Sequence, residues 1–457
     1  AMIAATIDAN FGREVDFLKA LVRTPSDNPP GDCAPAAAVA AAPWIRTSSA
    51  SPNEALVVAL IGCRGMGFGD LTNHLRQPDV LCGGLCDVDA DVLDGRAADV
   101  EDQTGKRPPT FSDYRRILDR SDVDAVIIGT PDHWHCLQMT DACSAGKDVY
   151  VEKPMANSIG ELDAMVAAAR RHGRVVQVGQ QQRSGAHWRE AVDFVQSGRL
   201  GDIRQIKVWG FFDYGKGQPR VPNQPPPAHV DFDMWLGPAP DQPFNPSRFH
   251  SNWRHQWDFG GGLLTDWGVH LLDIVVWAMG IDAAPRSVSA SGGIYTYHDR
   301  AIETPDTLSV LYDMGDYTIT WEHVAGLDRG LYGRHYGIAF IGNNGTLVVN
   351  RAGWEVIAEE REGAPLVESV PFSEGVGSNH EAHAIDFIEA VRERREPTCT
   401  VEDGRAAAFL AHLGNVAYRT RSRVVWNEDT GRFAANRAAN QLIRPAYRAP
   451  WAFPDAG

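Results

Sequence analysis

The sequence is short of basic residues: 43 Lys and Arg stand against 59 Asp and Glu, a formal charge of −16. An acidic surface repels phosphate backbones and anionic lipid, so no nucleic-acid or membrane-surface partner is expected. No apolar run approaches the roughly 20 residues that a membrane span requires. None of the seven cysteines (33, 63, 82, 86, 136, 143 and 399) stands in a CxxC pair, and most fall inside predicted strands or helices. They read as reduced core residues, which excludes a disulfide framework and a zinc knuckle. What the chain does have is ordinary globular material: 44% hydrophobic and 22% charged residues over 457 positions, enough for two or three cores.

From residue 56, continuous apolar runs alternate with amphipathic ones. LVVALIG, VLCGGLCDVD, DAVIIGTP, DVYVEKP and VVQVGQ read as buried strands. Between them, GFGDLTNHLRQ, ADVLDGRAADVEDQTG, HWHCLQMTDACSAG and SIGELDAMVAAARRHG have helical periodicity. Buried strands separated by helices imply right-handed βαβ units and a parallel sheet. After about residue 180 the pattern changes to strands with period-two alternation, such as DTLSVLYDM and YTITWEHVAG, and two late helices. The expected architecture is α/β: a Rossmann-type parallel sheet at 55–180, then an α+β domain at 181–457 with a large, mostly antiparallel open sheet. A wide sheet face is a liability unless paired, so a homodimer or homotetramer is expected.

The first strand ends in Gly62-Cys63-Arg64-Gly65-Met66-Gly67, directly before a helix. A dinucleotide turn wants G-x-G-x-x-G so that backbone N–H groups and the helix terminus can approach pyrophosphate. Gly62 and Gly67 fit; Arg64 stands at the second position, with Gly65 one place late. A plain tight turn is the competing reading. Asp87, twenty residues after Gly67, ends the second strand where an acid binds ribose hydroxyls, which favours NAD over NADP; a helix N-cap is its alternative role. Arg64 could itself reach a phosphate.

Lys153, between Glu152 and Pro154, sits at the carboxyl end of a parallel strand and so faces the ligand crevice. Downstream, in GGGLLTDWGVHLLD, Asp266 and His270 are four apart on a helical pattern. Three readings are open. A metal pair would need a third ligand from elsewhere, with His133 and His135 as candidates; no metal is expected. An i,i+4 salt bridge is the bland reading. The third is catalysis, in which an imidazole takes a hydroxyl proton at neutral pH, Asp266 orients it, and Lys153 stabilises the developing alkoxide. Gln180, Gln181 and Arg183 follow the last parallel strand and are expected to line the crevice. Trp253, Arg254 and Trp257 precede the glycines, where aromatic faces and an arginine suit a sugar. Asn344-Gly345-Thr346 is read as a hairpin turn despite matching a glycosylation sequon.

The glycine turn, EKP, TPDHWH, TDWGVH and the tail HLGNVAYRT…ANQLIRPAYRAPW together resemble the Gfo/Idh/MocA oxidoreductase family over about residues 56–451. The resemblance implies a Rossmann domain with an open-sheet domain, NAD or NADP, and a sugar or cyclitol substrate. It also implies a cis peptide before Pro154. By its pattern Lys153, Asp266 and His270 are catalytic. Gly62, Arg64, Gly65, Met66, Asp87, Thr130, Pro131, His135, Glu152, Lys153 and Gln181 would touch cofactor. Arg183, Trp253, Arg254, Asp266 and His270 would touch substrate. Arg64 departs from the family's usual glycine. The expected reaction is NAD-dependent oxidation of a ring hydroxyl of a sugar, glycoside or cyclitol. Its rivals are a hydrolase working by transient oxidation and a non-catalytic nucleotide-binding regulator.

Residues 1–54 do not fit this scheme. VDFLKALVRTPSDNPPGDCAPAA resembles the opening of an M20-type metallopeptidase without metal ligands. The following stretch, about residues 35–50, resembles the tail of an export signal without its basic start. The segment is read as an appendage without catalytic role, and it leaves a cytoplasmic or periplasmic location open.

Overall fold

The computed structural model describes residues 55–375 and 379–454, so the readings placed on residues 1–54 lie outside it. Residues 54–457 make one compact unit. Its first part alternates β1 (Leu56–Ile61), α1 (Gly65–Leu75), β2 (Val80–Cys86), α2 (Ala90–Thr104), β3 (Thr110–Phe111), β4 (Ala125–Ile128), α3 (Asp132–Ser144), β5 (Asp148–Val151), α4 (Ile159–His172) and β6 (Val176–Val178). The strands pair in parallel in the order β3-β2-β1-β4-β5-β6, the doubly wound arrangement of a Rossmann domain. Local chemistry sets the helix ends. Asp89 caps α2 through Asp91 N and Val92 N, and Gly105 closes it with φ +77°. Ser158 caps α4, and Gly173 ends it in the same left-handed way.

The chain continues through α5 (Ala186–Gln196), β7 (Ile203–Phe212) and a long connection to a π-helical turn, Leu264–Gly268, that runs into α6 (Val269–Met279). Then come β8 (Ser287–Gly293), β9 (Thr307–Asp313), β10 (Thr318–Ala325), β11 (Tyr336–Gly342), β12 (Gly345–Asn350), β13 (Gly353–Ala358) and β14 (Val370–Glu374). They form one sheet in the order β14-β13-β12-β11-β7-β10-β9-β8, antiparallel except where β10 runs parallel to β7. Period two decides its faces: Ile319, Trp321, His323 and Ala325 of β10 are buried while the residues between them are half-exposed. That inner face, with Leu308, Val310 and Tyr312 of β9, shares an apolar core with Leu271, Leu272 and Val275 of α6.

Two late helices, α7 (Asn379–Glu393) and α8 (Val401–Thr420), carry the chain back toward the parallel sheet. Phe387, Ile388 and Val391 of α7 pack in the same cluster as Leu56, Val58 and Leu60 of β1. The division at residue 180 is thus one of chain order, while the packing of the nucleotide-binding sheet is completed by the far end of the sequence. Thr400 and Asp403 start α8 with a reciprocal capping box.

Candidate functional site

At the nucleotide end, backbone geometry dominates. Gly62 has φ +89° and Gly65 φ +44°, both in the left-handed region that glycine enters without penalty. A Cβ on Gly62 would lie 2.6 Å from Thr130 N, and one on Gly67 would lie 2.3 Å from Gly62 O and 3.1 Å from Gly129 Cα. The turn is therefore pressed against Gly129 at the end of β4, a position the motif search passed over although a glycine ending a parallel strand signals a close approach. Arg64, at φ −98° and ψ 164°, is extended and needs no glycine. Its side chain lies along the cleft, with Nη1 3.3 Å from His250 Nε2 on the facing wall. Helix α1 starts without a side-chain cap, which leaves its first N–H groups for an anion.

Asp87 is not a helix cap; Asp89 has that role. Asp87 Oδ2 accepts from Cys63 N at 2.7 Å and Oδ1 from Asp89 N at 3.1 Å, so the carboxylate ties the glycine turn to β2 and keeps lone pairs for ribose hydroxyls. It lines an open cleft together with Gly62, Met66, Thr130, Pro131 and Glu152. The facing wall comes from the connection after β7, with Trp235, Phe249, His250 and Arg254. That connection is sewn onto the rim. Ala90 N donates to His229 O and Asp231 N to Val88 O, both at 2.9 Å, and Asp89 pairs with Val230. A glycine turn too tight for a Cβ, an uncapped helix terminus and a cleft-lining acid fit a dinucleotide.

Two cofactor candidates sit behind the cleft instead of in it. His135 spans two carbonyls, Nδ1 to Pro154 O and Nε2 to Thr130 O, each at 2.8 Å, and so braces the β4 and β5 ends against one another. Gln181 Nε2 donates to Glu152 Oε1 at 2.8 Å. Burial pushes the Glu152 carboxyl up to about 7 even though the Lys153 charge opposes it. The Lys153–Pro154 peptide is cis.

At the chemistry end, side chains from distant segments meet. Lys153 Nζ donates to Asp266 O at 2.8 Å and to Oδ1 at 3.0 Å. Arg254 Nε reaches the same Oδ1 at 3.2 Å, and Tyr214 OH donates to Oδ2 at 2.9 Å. Burial alone would raise the Asp266 pKa; the Lys153 and Arg254 charges and the donated hydrogen bonds outweigh it and hold the carboxyl well below the usual carboxylate range. His270 is buried, and its Nδ1 has no hydrogen-bond partner among the described residues. Burial first, then the Lys153 and Arg351 charges, push its pKa well below the ordinary imidazole value, so the ring is neutral.

The i,i+4 salt bridge between Asp266 and His270 does not form among the described contacts. The π turn Leu264–Gly268 takes the two residues out of α-helical register, and Asp266 spends its oxygens on Lys153, Arg254 and Tyr214. Nor do His133 and His135 supply a third ligand. His133 Nε2 faces Trp235 O at 3.1 Å, and His135 is committed as above.

Arg183 is a correction. Expected at the substrate, it is instead locked in a buried ion pair, with Nε 2.9 Å from both oxygens of Asp273 and Nη1 3.1 Å from Asp403 Oδ1. Trp253 lines the cleft from an apolar cluster with Trp235 and Phe249, and its ring supports the Arg254 guanidinium at 4.3 Å. Trp257 stacks under Arg419 at 4.8 Å. Sequence reasoning missed Tyr214, Gln182, Arg351 and His380. Tyr214 and Arg351 are lone polar residues just beyond strand ends and His380 lies in the first turn of α7, with no motif to mark them; Gln182 could have been found, since it stands between Gln181 and Arg183.

A parallel sheet with a glycine turn, joined to an open-sheet domain whose π turn and α6 bring an acid and an imidazole toward a strand-end lysine, defines a dinucleotide-dependent oxidoreductase. The sequence comparisons name the family. Residues 56–180 match the oxidoreductase family's NAD-binding Rossmann fold, and residues 190–325 with 375–453 match its C-terminal alpha/beta domain. The chain belongs to the Gfo/Idh/MocA oxidoreductases, and its first domain is an NAD-binding Rossmann fold. It is 23% identical over 369 residues to the oxidoreductase YrbE of Bacillus subtilis (strain 168), spanning 78% of this chain and 92% of that one. A glycosyl hydrolase family 109 protein of Akkermansia muciniphila is 32% identical over 154 residues, 32% of this chain and 31% of the relative. Among solved structures, an aldose-aldose oxidoreductase from Caulobacter crescentus has the same fold, with TM-score 0.62 and 21% identity over 81% of this chain and 99% of that one. A levoglucosan dehydrogenase in complex with NADH and levoglucosan matches with TM-score 0.62 and 20% identity over the same shares.

Proposed function

We propose that this chain oxidises a ring hydroxyl of a sugar, glycoside or cyclitol by hydride transfer to NAD. The observation that carries the reading is the convergence of Lys153, from the end of β5, on Asp266 of the π turn, beside a buried neutral His270. NAD, when bound, supplies the hydride acceptor. The glycine turn, the start of α1 and Asp87 would hold it, with Thr130, Pro131 and Glu152 lining the remainder of its cleft. His270 is the base: a neutral imidazole can take the hydroxyl proton. Lys153, pinned by two bonds to Asp266, places positive charge where the alkoxide develops. Asp266 stays ionised and fixes Lys153, Arg254 and Tyr214. Similarity to a levoglucosan dehydrogenase and an aldose-aldose oxidoreductase supports a carbohydrate substrate. The test is NADH formation with a panel of sugars, glycosides and cyclitols. Because burial and neighbouring cations hold the His270 pKa down, the acid limb of kcat/KM should lie below the ordinary imidazole value of about 6.5, and an unchanged limb in His270→Gln would remove His270 as the base.

A second reading, an NAD-dependent glycoside hydrolase, is favoured by the seam that the β7 connection makes on the rim of the cofactor cleft at Val88–Ala90. A cofactor held under that connection suits a cycle of oxidation, elimination and re-reduction with no net NADH. Glycoside cleavage with substoichiometric NAD would select it. Self-association through the open sheet, whose outer face exposes Leu311 and Ile357, belongs to the same proposal and is read by sedimentation.

A further inference from the structure

We propose that the sugar handled at this site carries a carboxylate and that Arg351 binds it. The inference rests on the carbohydrate reading above and names its substrate class. Arg351 lies in the turn between β12 and β13 and is aimed by two contacts. Nε donates to Gln182 Oε1 at 3.0 Å, and the guanidinium lies over the Trp267 ring at 4.6 Å. Both supports belong to the chemistry end: Gln182 Nε2 donates to His270 O at 3.0 Å, and the Trp267 ring is 6.0 Å from that of His270. Stacking and one edge bond fix the plane of the guanidinium and leave its Nη1–Nη2 edge, whose geometry matches two coplanar carboxylate oxygens.

That edge has no acceptor among the described residues. The other arginines buried near the two sheets are each neutralised: Arg183 by Asp273, Arg254 by Asp266 and Arg334 by Glu355. Arg351 has no such partner. The group Lys153, Arg254 and Arg351 holds three cations against the carboxylate of Asp266. Burial pushes up the carboxyls of the bordering acids Asp132 and Glu152, which reduces the negative charge they set against this group. His380, beside Arg351 and Lys153, adds an Nδ1 without a hydrogen-bond partner among the described residues. An excess of desolvated cation in a chain of net charge −16 calls for an anion. The phosphates of the dinucleotide belong at the α1 end of the cleft, so the anion comes with the substrate.

The experiment is calorimetric titration of the full chain, loaded with NAD, with matched pairs: D-glucuronate against D-glucose, D-galacturonate against D-galactose, and the methyl glycosides of each, with glucose 6-phosphate as a further anion. At least one uronate should bind about tenfold or more tighter than its parent hexose, since a charge-assisted bidentate pair distinguishes them. Arg351→Met should erase that preference, and Arg351→Lys should restore part of it. Parity in every pair, no measurable uronate binding, a preference that survives Arg351→Met, or stronger binding of the sugar phosphate overturns the proposal. NADH formation is read separately: a uronate that binds with the expected preference but is never oxidised leaves the anion site standing and overturns the oxidation reading.

Discussion

The two ends of the cleft are built from different materials. The nucleotide end is mostly backbone: positive-φ glycines, a bare helix start, and an acid that bonds the turn it serves. Its contacts join segments of the parallel sheet, from the β1 turn to the end of β4, apart from Arg64 against His250 and the seam to residues 229–231. The chemistry end is mostly charge, assembled from β5, the β7 connection, the π turn and the β12–β13 turn. Geometry at the first end is fixed by what cannot fit, since a Cβ at Gly62 or Gly67 would overlap backbone. At the second it is fixed by electrostatic balance around one carboxylate. The first arrangement is robust to charge and intolerant of volume, and the second is the reverse.

That contrast can be broken by substitution. The largest effect is expected at Lys153: Lys153→Met should lower kcat about 10³-fold, as for loss of a charge aimed at a developing oxyanion. Asp87→Ala should instead raise KM for NAD and spare most of kcat; equal losses of kcat in both variants would erase the distinction between the ends. Next come the charge networks. Arg183→Ala leaves Asp273 buried and unpaired and should cost about 3 kcal/mol or more in urea unfolding. It should leave the sugar KM nearly unchanged, whereas a large KM effect would return Arg183 to the substrate.

Asp266→Asn should cost a similar amount, with a pH signature. The folded carboxyl titrates below its unfolded value of about 3.9, so its stabilisation is complete above that pH and is lost as pH falls further. The stability gap between wild type and Asp266→Asn should therefore close in acid below pH 4; a gap that widens there contradicts the ion-pair account. The smallest contrast lies within the glycine turn. Gly62→Ala should cost about 1–3 kcal/mol through strain and overlap. Arg64→Gly, at an extended backbone position, should change NAD affinity by no more than about threefold.

Much of this molecule was legible in one dimension because its signals are local. Unbroken apolar strands alternating with amphipathic helices forced the parallel sheet, and period-two strands such as β10 marked the second. Lys153, Asp266 and His270 stood out because each lies in a short, chemically dense motif. Arg183 misled for a physical reason: an arginine just beyond a strand end looks like a crevice residue until the chain brings Asp273 and Asp403 against it, from 90 and 220 positions away. Arg351 escaped for the complementary reason, since a lone arginine in a hairpin turn has no motif until Trp267 and Gln182 give it a direction.

By itself the sequence determined the two-sheet architecture, the dinucleotide turn and which side chains are candidates for the chemistry, because burial pattern, glycine placement and strand-end position are properties of neighbouring residues. Only the tertiary structure decided which charges are paired and which are left for a ligand. An ion pair depends on distances between segments far apart in the chain, and a π turn was enough to change the partners of Asp266.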